Sequence, residues 1–253
     1  MNKSRYLIFT ACIVVLFHFL SSICIAQSEE EMQLLRMFYK DKDLVVSSTR
    51  TLKNISQVAE NLTVITSEDI EAMNAHTVAD VLQTVPGIFI SSNHDFGASS
   101  IISIQGSEDR HVLVLIDEVP LNFLSGGNAE TNTLPIGAID RIEIIKGPAS
   151  SAWGSSLGGV INIITKETGE SGRPSGSIRA SYGKAASRDY RGEISGKAGL
   201  MGYYLYAGGQ DSDGLVSSRY FEKISLYSRL ELNISENTVM GLTAGYGRPE
   251  IGF

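Results

Sequence analysis

Residues 134–166 read LPIGAIDRIEIIKGPASSAWGSSLGGVINIITK, and the order of residue types within them decides the fold. Arg141 to Ile145 is a β-branched run that Gly147-Pro148 stops. Small residues follow as far as Ala152, Trp153-Gly154 and Gly158-Gly159 supply turns, and Val160 to Thr165 is a second β-branched run. Two short strands joined by a loop with no titratable side chain belong to a sheet core and not to a reaction centre.

Upstream of that block the chain alternates strand and helix signals. Thr63 to Ile65 reads as a strand, and Thr66-Ser67-Glu68-Asp69 is a capping-box pattern opening a helix that carries Ile70 and Met73. Thr77 to Asp80 repeats the pattern, with Val78, Val81, Leu82 and Val85 at helical spacing until Pro86-Gly87 ends the run. Ile88 to Ile90, Ile101 to Ile104 and Val112 to Ile116 are further short strands, separated by loops rich in Gly, Ser and Asn. Residues 63–165 therefore read as a small α+β domain with a mixed sheet.

Downstream, from Ser175, the period changes to two. Ile224, Leu226, Ser228, Leu230 and Leu232 alternate with Ser225, Tyr227, Arg229, Glu231 and Asn233. Ile178, Ala180 and Tyr182, then Met240, Leu242, Ala244 and Tyr246, do the same, with separators at 183–187, 199–202, 210–214 and 235–237. Strands of about ten residues, apolar on one side and polar on the other, are the signature of a transmembrane β-barrel. An antiparallel sheet with one solvated face produces the same alternation, so the pattern alone leaves both open. About five strands fit between 175 and 247, fewer than the roughly eight that close a barrel. The expectation is an incomplete barrel: part of a longer protein, or a truncated gene product.

Composition narrows the class. The 253 residues are 43% hydrophobic and 19% charged, with 21 basic and 28 acidic side chains for a net charge of −7. That balance excludes a nucleic-acid binder, which needs a basic surface. Glycine is absent before Gly87, so all 25 glycines lie in the later two thirds. Lys3 and Arg5, the apolar run Tyr6 to Leu20 and the small residues at Cys24 and Ala26 read as a signal peptide over 1–26, leaving 227 residues, a charge of −9 and no cysteine. An uncleaved anchor would need a longer apolar run, and a lipoprotein would need a small residue in place of Ile23. Residues 27–42 (QSEEEMQLLRMFYKDK) carry a short stripe, Met32, Leu35 and Phe38, that fits either a brief amphipathic helix or a mobile polar lead-in; the lead-in is the expectation because so short a helix is marginal in isolation.

Three blocks in series, AHTVADVLQTVPGIFI (75–90), SIQGSEDRHVLVLIDEVPLN (103–122) and 134–166, resemble the plug domain of TonB-dependent outer-membrane receptors. The resemblance covers roughly residues 43–166. It implies a plug over 49–168, the first barrel strands over 175–253, and active uptake of an iron-siderophore complex or cobalamin, with no bond chemistry and no cofactor. It also implies residence in outer-membrane lipid and a partner, TonB, the periplasmic energy-coupling protein. Asp43-Leu44-Val45-Val46-Ser47-Ser48 looks like the family's TonB box, an exposed extended segment that adds a strand to its partner. As a sequence it also reads as the first strand of the domain itself.

Other roles follow from the same resemblance. Ligand-facing plug loops would lie at Asn93, His94, Asp95, Phe96 and Ser99 and at Leu124, Ser125, Asn128 and Asn132, whose Gly, Asn and Ser content suits adaptable polar contacts. Arg141 and Lys146 would dock the plug on acidic barrel residues. The chain departs from the family at Gln105, where an Arg is usual, at Glu118, where a turn Gly is usual, at Lys146 in place of Arg and at Trp153 in place of Tyr. Glu118 therefore implies a different turn or a strained one.

A rival from another class is a secreted serine hydrolase, since Gly154-Ser155-Ser156-Leu157-Gly158 fits G-x-S-x-G. The elbow must lead into a helix, whereas Val160 to Thr165 is strand-like. All four histidines (His18, His76, His94, His111) precede the serine, against the order the triad needs, and they are too scattered for a metal site.

Overall fold

The computed structural model describes residues 29–39, 43–47, 53–57, 61–92, 100–149, 153–154, 156–214, 219–235 and 238–252. The expected signal peptide, Ser48, and the loop residues Asn93, His94, Asp95, Phe96 and Ser99 lie outside them.

The plug region is a mixed five-stranded sheet. In chain order its elements are β1 (Leu44–Val45), β2 (Lys53–Asn54), β3 (Leu62–Thr66), α2 (Ser67–Ala72), α3 (Val78–Leu82), β4 (Ile88–Ser92), β5 (Ser100–Ile104), β6 (Val112–Ile116), β7 (Val119–Pro120), β8 (Ile139–Lys146) and β9 (Gly159–Thr165). The main sheet has the order β3-β8-β9-β6-β7, with only β6 and β9 parallel. β4 and β5 form a separate antiparallel pair, as do β1 and β2. Both helices start where the capping boxes place them: the hydroxyls of Thr66 and Thr77 accept from the N–H groups of Asp69 and Asp80, whose carboxylates accept in return.

Alternation along β6, β8 and β9 divides the core between the two sheet faces. Val112, Val114, Ile142, Ile144, Ile161 and Ile163 pack under the helices against Ile70, Val78, Val81 and Leu82. On the other face Leu115, Ile145 and Val160 meet Ala149 and Trp153. That second face also carries two wholly buried polar residues, Glu143 and Asn162, directly paired across β8 and β9.

Residues 27–42 require a correction. Glu29–Phe38 form a helix, α1. Met32 lines a cavity with Gly169, Gly202 and Val239, and both Met32 and Leu35 are half-buried, so the stripe gains a tertiary contact that an isolated helix lacks. Phe38, the third residue of the stripe, stays exposed.

The second half is an antiparallel meander of β10 (Ser175–Tyr182), β11 (Arg188–Ala198), β12 (Met201–Ser212), β13 (Phe221–Ser235) and β14 (Thr238–Ile251), paired in sequence order. Two separators are shorter than composition suggested. Gly199-Leu200 alone turns β11 into β12, and Gln210 to Ser212 continue β12 because their polar side chains fit a polar face.

The face that the meander buries settles the ambiguity of its alternation. In β13, Phe221, Lys223, Ser225 and Tyr227 are buried, Lys223 and Tyr227 in contact with Leu134 and Thr165 of the plug, while Ile224 and Leu226 are exposed. Register places Ile178, Tyr190, Ile194, Leu205, Leu232, Met240, Leu242 and Tyr246 on the same exposed face. A water-soluble sheet buries its apolar side. This one turns that side outward and covers the polar side.

Candidate functional site

The segment that resembles a TonB box is extended but not exposed. Leu44 pairs with Asn54 and Val45 with Lys53, and the two apolar side chains are 2% and 0% exposed. Beyond the strand, the N–H groups of Val46 and Ser47 donate to Glu143 Oε2 at 2.9 and 2.8 Å. The indole N–H of Trp153 donates to the carbonyl of Ser47. Glu143 Oε1 accepts from Arg141 Nε at 2.9 Å, so one carboxylate bridges the plug sheet and the segment. In this conformation β2 takes one edge of Leu44–Val45, and Glu143 and Trp153 take the N–H groups of Val46 and Ser47 and the carbonyl of Ser47.

The proposed ligand loops divide. Leu124 is fully exposed and Ser125 exposed at the tip of a tight loop closed by hydrogen bonds between Phe123 and Asn128 and between Gly127 and Phe123. Asn122, which sequence reasoning passed over, anchors it: its side chain accepts from Val114 N and donates to the carbonyls of Val112 and Gly127. Asn128 is half-buried, and Asn132 is buried in a one-turn helix at Thr131–Thr133, away from the tip.

Arg141 and Lys146 make their described bonds inside the plug. Arg141 bridges Asp140 and Glu143, and Lys146 Nζ reaches the carbonyl of Pro86 at 3.4 Å. The contacts between the plug and the meander come from other residues. Lys166 meets Glu193 at 2.7 Å, and Tyr204 donates to the same carboxylate. Tyr227 donates to Thr165 Oγ1, and that hydroxyl donates to Asp117 Oδ2 at 2.6 Å. Lys223 Nζ donates to the carbonyl of Leu134.

A tighter knot forms at Asp189, which is 5% exposed. It takes His76 Nδ1 at 2.6 Å, Gln210 Nε2 at 2.8 Å and both Nε and Nη2 of Arg191. Arg191 and Gln210 also donate to the carbonyls of Ala75 and His76, so the strands grip the turn between α2 and α3. Two glycines allow close approach, since a Cβ on Gly137 would strike the ring of Tyr206 and one on Gly247 the carbonyl of Thr133. The polar half of the period-two pattern was the available signal for these strand residues; their plug partners had none.

Both departures in the turns carry left-handed backbone. Gln105 has φ 53°, and Asp117 and Glu118 have φ 46° and 66° in a two-residue hairpin turn. Asp117 compensates by accepting from Thr165 N and Oγ1, and Glu118 N reaches Asn162 Oδ1. Gly158 leads straight into β9, so the G-x-S-x-G stretch lacks the helix an elbow requires. Among the described residues no group of three His, Cys, Asp or Glu could hold a metal ion.

Comparison with known proteins agrees with this architecture. Residues 54–160 match the TonB-dependent Receptor Plug Domain. Solved structures with the same fold include the pyoverdine outer membrane receptor FpvA from Pseudomonas aeruginosa bound to pyoverdine (TM-score 0.72, 21% identity, 81% of this chain and 30% of that one). The siderophore receptor PirA from Acinetobacter baumannii superposes with TM-score 0.61 at 21% identity over 75% of this chain and 32% of that one. A mutant of the ferric enterobactin receptor PfeA from Pseudomonas aeruginosa, in complex with enterobactin, gives 0.58 at 22% over 76% and 34%. The chain thus spans about a third of the length of these receptors. Residues 54–160 thus match a TonB-dependent receptor plug domain, and the strands that follow share the fold of the corresponding part of those structures.

Proposed function

We propose that the chain belongs to an outer-membrane receptor that takes up an iron-siderophore complex, driven through TonB. The observation that carries this reading is the inverted meander: an apolar face turned outward beside a polar face gripping a folded plug. Lipid is the solvent that makes such a face stable. Ile224 to Ile234 span about 33 Å along β13 at about 3.3 Å per residue, or about 25 Å at a tilt near 40°, the height of a transmembrane apolar band. The signal-peptide pattern of 1–26 supports export, and the plug would extend over 49–168 with the coupling box at 43–48. The exposure of Leu124 and Ser125 supports reading that tip as part of a ligand-facing surface. Siderophore uptake is favoured over cobalamin because PirA, FpvA and PfeA are named for siderophores.

The test is uptake by cells carrying the complete gene and lacking their own receptors, offered 55Fe-siderophores and labelled cobalamin in parallel. Energy-dependent accumulation of iron that vanishes without TonB is the expected result. Accumulation of cobalamin alone would reassign the ligand, and accumulation of neither, with the protein assembled in the outer membrane, would overturn the uptake reading.

A further inference from the structure

We propose that Glu143 and Trp153 form a latch that holds the 43–47 segment on the plug sheet by its main chain and sets how readily it is released. The proposal rests on the reading of 43–48 as the energy-coupling segment. The two Glu143 oxygens have separate tasks: Oε1 takes Arg141, and Oε2 takes the N–H groups of Val46 and Ser47. Trp153 donates its indole N–H to the carbonyl of Ser47. Every one of these bonds to the segment is made to its backbone, so the latch grips an extended chain, the same feature a β-augmenting partner would use.

The seat is built to let go. Glu143 is fully buried, and a buried carboxylate stripped of all partners would be costly. Arg141 remains bound to it when the segment leaves, so release opens one oxygen to water and does not orphan a charge. Buried polar atoms at the same face lack partners among the described residues: Ser47 Oγ, Ser156 Oγ and Asn162 Nδ2, the last on the residue paired with Glu143. Each gains hydrogen bonds when water enters. The docked state is therefore held by charge-assisted bonds over an under-satisfied floor, and weakening those bonds should free the segment without unfolding the plug.

The experiment uses the intact receptor in outer-membrane vesicles with Asp43→Cys as a thiol reporter; residues 25–253 contain no cysteine, and any cysteine outside them is replaced by serine. The rate of maleimide labelling is compared in the parent, Glu143→Gln, Trp153→Phe and Thr66→Ala, the last weakening a helix cap without touching the latch. About tenfold faster labelling in Glu143→Gln, a smaller rise in Trp153→Phe and no change in Thr66→Ala are expected. Unchanged rates in both latch variants, with the plug still protease-resistant, would overturn the latch. A peptide of residues 41–50 is titrated in parallel against purified TonB periplasmic domain. Binding of the peptide with unchanged labelling leaves the coupling reading standing and removes only the latch; no binding removes the coupling reading and the proposed role with it.

Discussion

Glu118 shows what a single residue can cost a fold. Its φ of 66° lies where a Cβ is unfavourable and where the second position of a two-residue hairpin turn prefers glycine. Glu118→Gly should stabilise the receptor by about 1 kcal/mol, read as a higher urea midpoint. Its neighbour is strained too, but Asp117 accepts two hydrogen bonds from Thr165. Asp117→Ala should therefore destabilise by about 2 kcal/mol in the same measurement although it leaves the backbone unchanged. Neighbouring residues with the same backbone strain thus respond in opposite directions, because the Asp117 side chain accepts hydrogen bonds whereas the bond at Glu118 is made by its main chain and survives the substitution.

At the level of elements, β10 to β14 obey the period-two rule but reverse its usual sense. Leu205 sits in the middle of the outward apolar rows, beside Ile194 and Ser228. Leu205→Arg should cost about 2–4 kcal/mol, as a charge does at the bilayer midplane, and should lower the amount of heat-modifiable receptor in outer-membrane fractions. If the face met water instead, the same change would be neutral, so the variant separates the two environments. The helices behave conventionally. α2 and α3 are only six and five residues long, and their capping boxes compensate for that brevity.

At the level of the whole molecule, the plug and the strands meet through ion pairs and hydrogen bonds, with a small aromatic group of Tyr204, Tyr206 and Tyr227 around Ala138. A polar interface can be opened one contact at a time with water replacing each partner. Asp189 gathers the most partners of the contacts described above. Asp189→Asn should weaken plug docking by about 3 kcal/mol, because it leaves Arg191 and His76 without their shared anion. The readout is protease protection of the plug in urea. Glu71→Gln, which removes an exposed pair with Arg179, should change that midpoint by less than about 1 kcal/mol.

Local spacing was enough to place the plug strands, both capped helices, the Pro86-Gly87 stop and the meander, because hydrogen-bonded turns and alternating side chains are properties of neighbouring residues. Glu118 stood out only through the family resemblance, which places a Gly at that turn position. Which face of the meander is buried was a different matter. An alternating strand carries both faces equally, and only the plug contacts of Lys223 and Tyr227 distinguish inside from outside. The same holds for the 43–47 segment and for α1, each too short to be stable alone and each held by residues distant in the chain, Glu143 and Trp153 for the one, the strand ends around Gly202 and Val239 for the other. Sequence determined the elements because their energetics are local; tertiary structure decided exposure, partners and docking, because a buried charge or an apolar face acquires its meaning from what lies opposite.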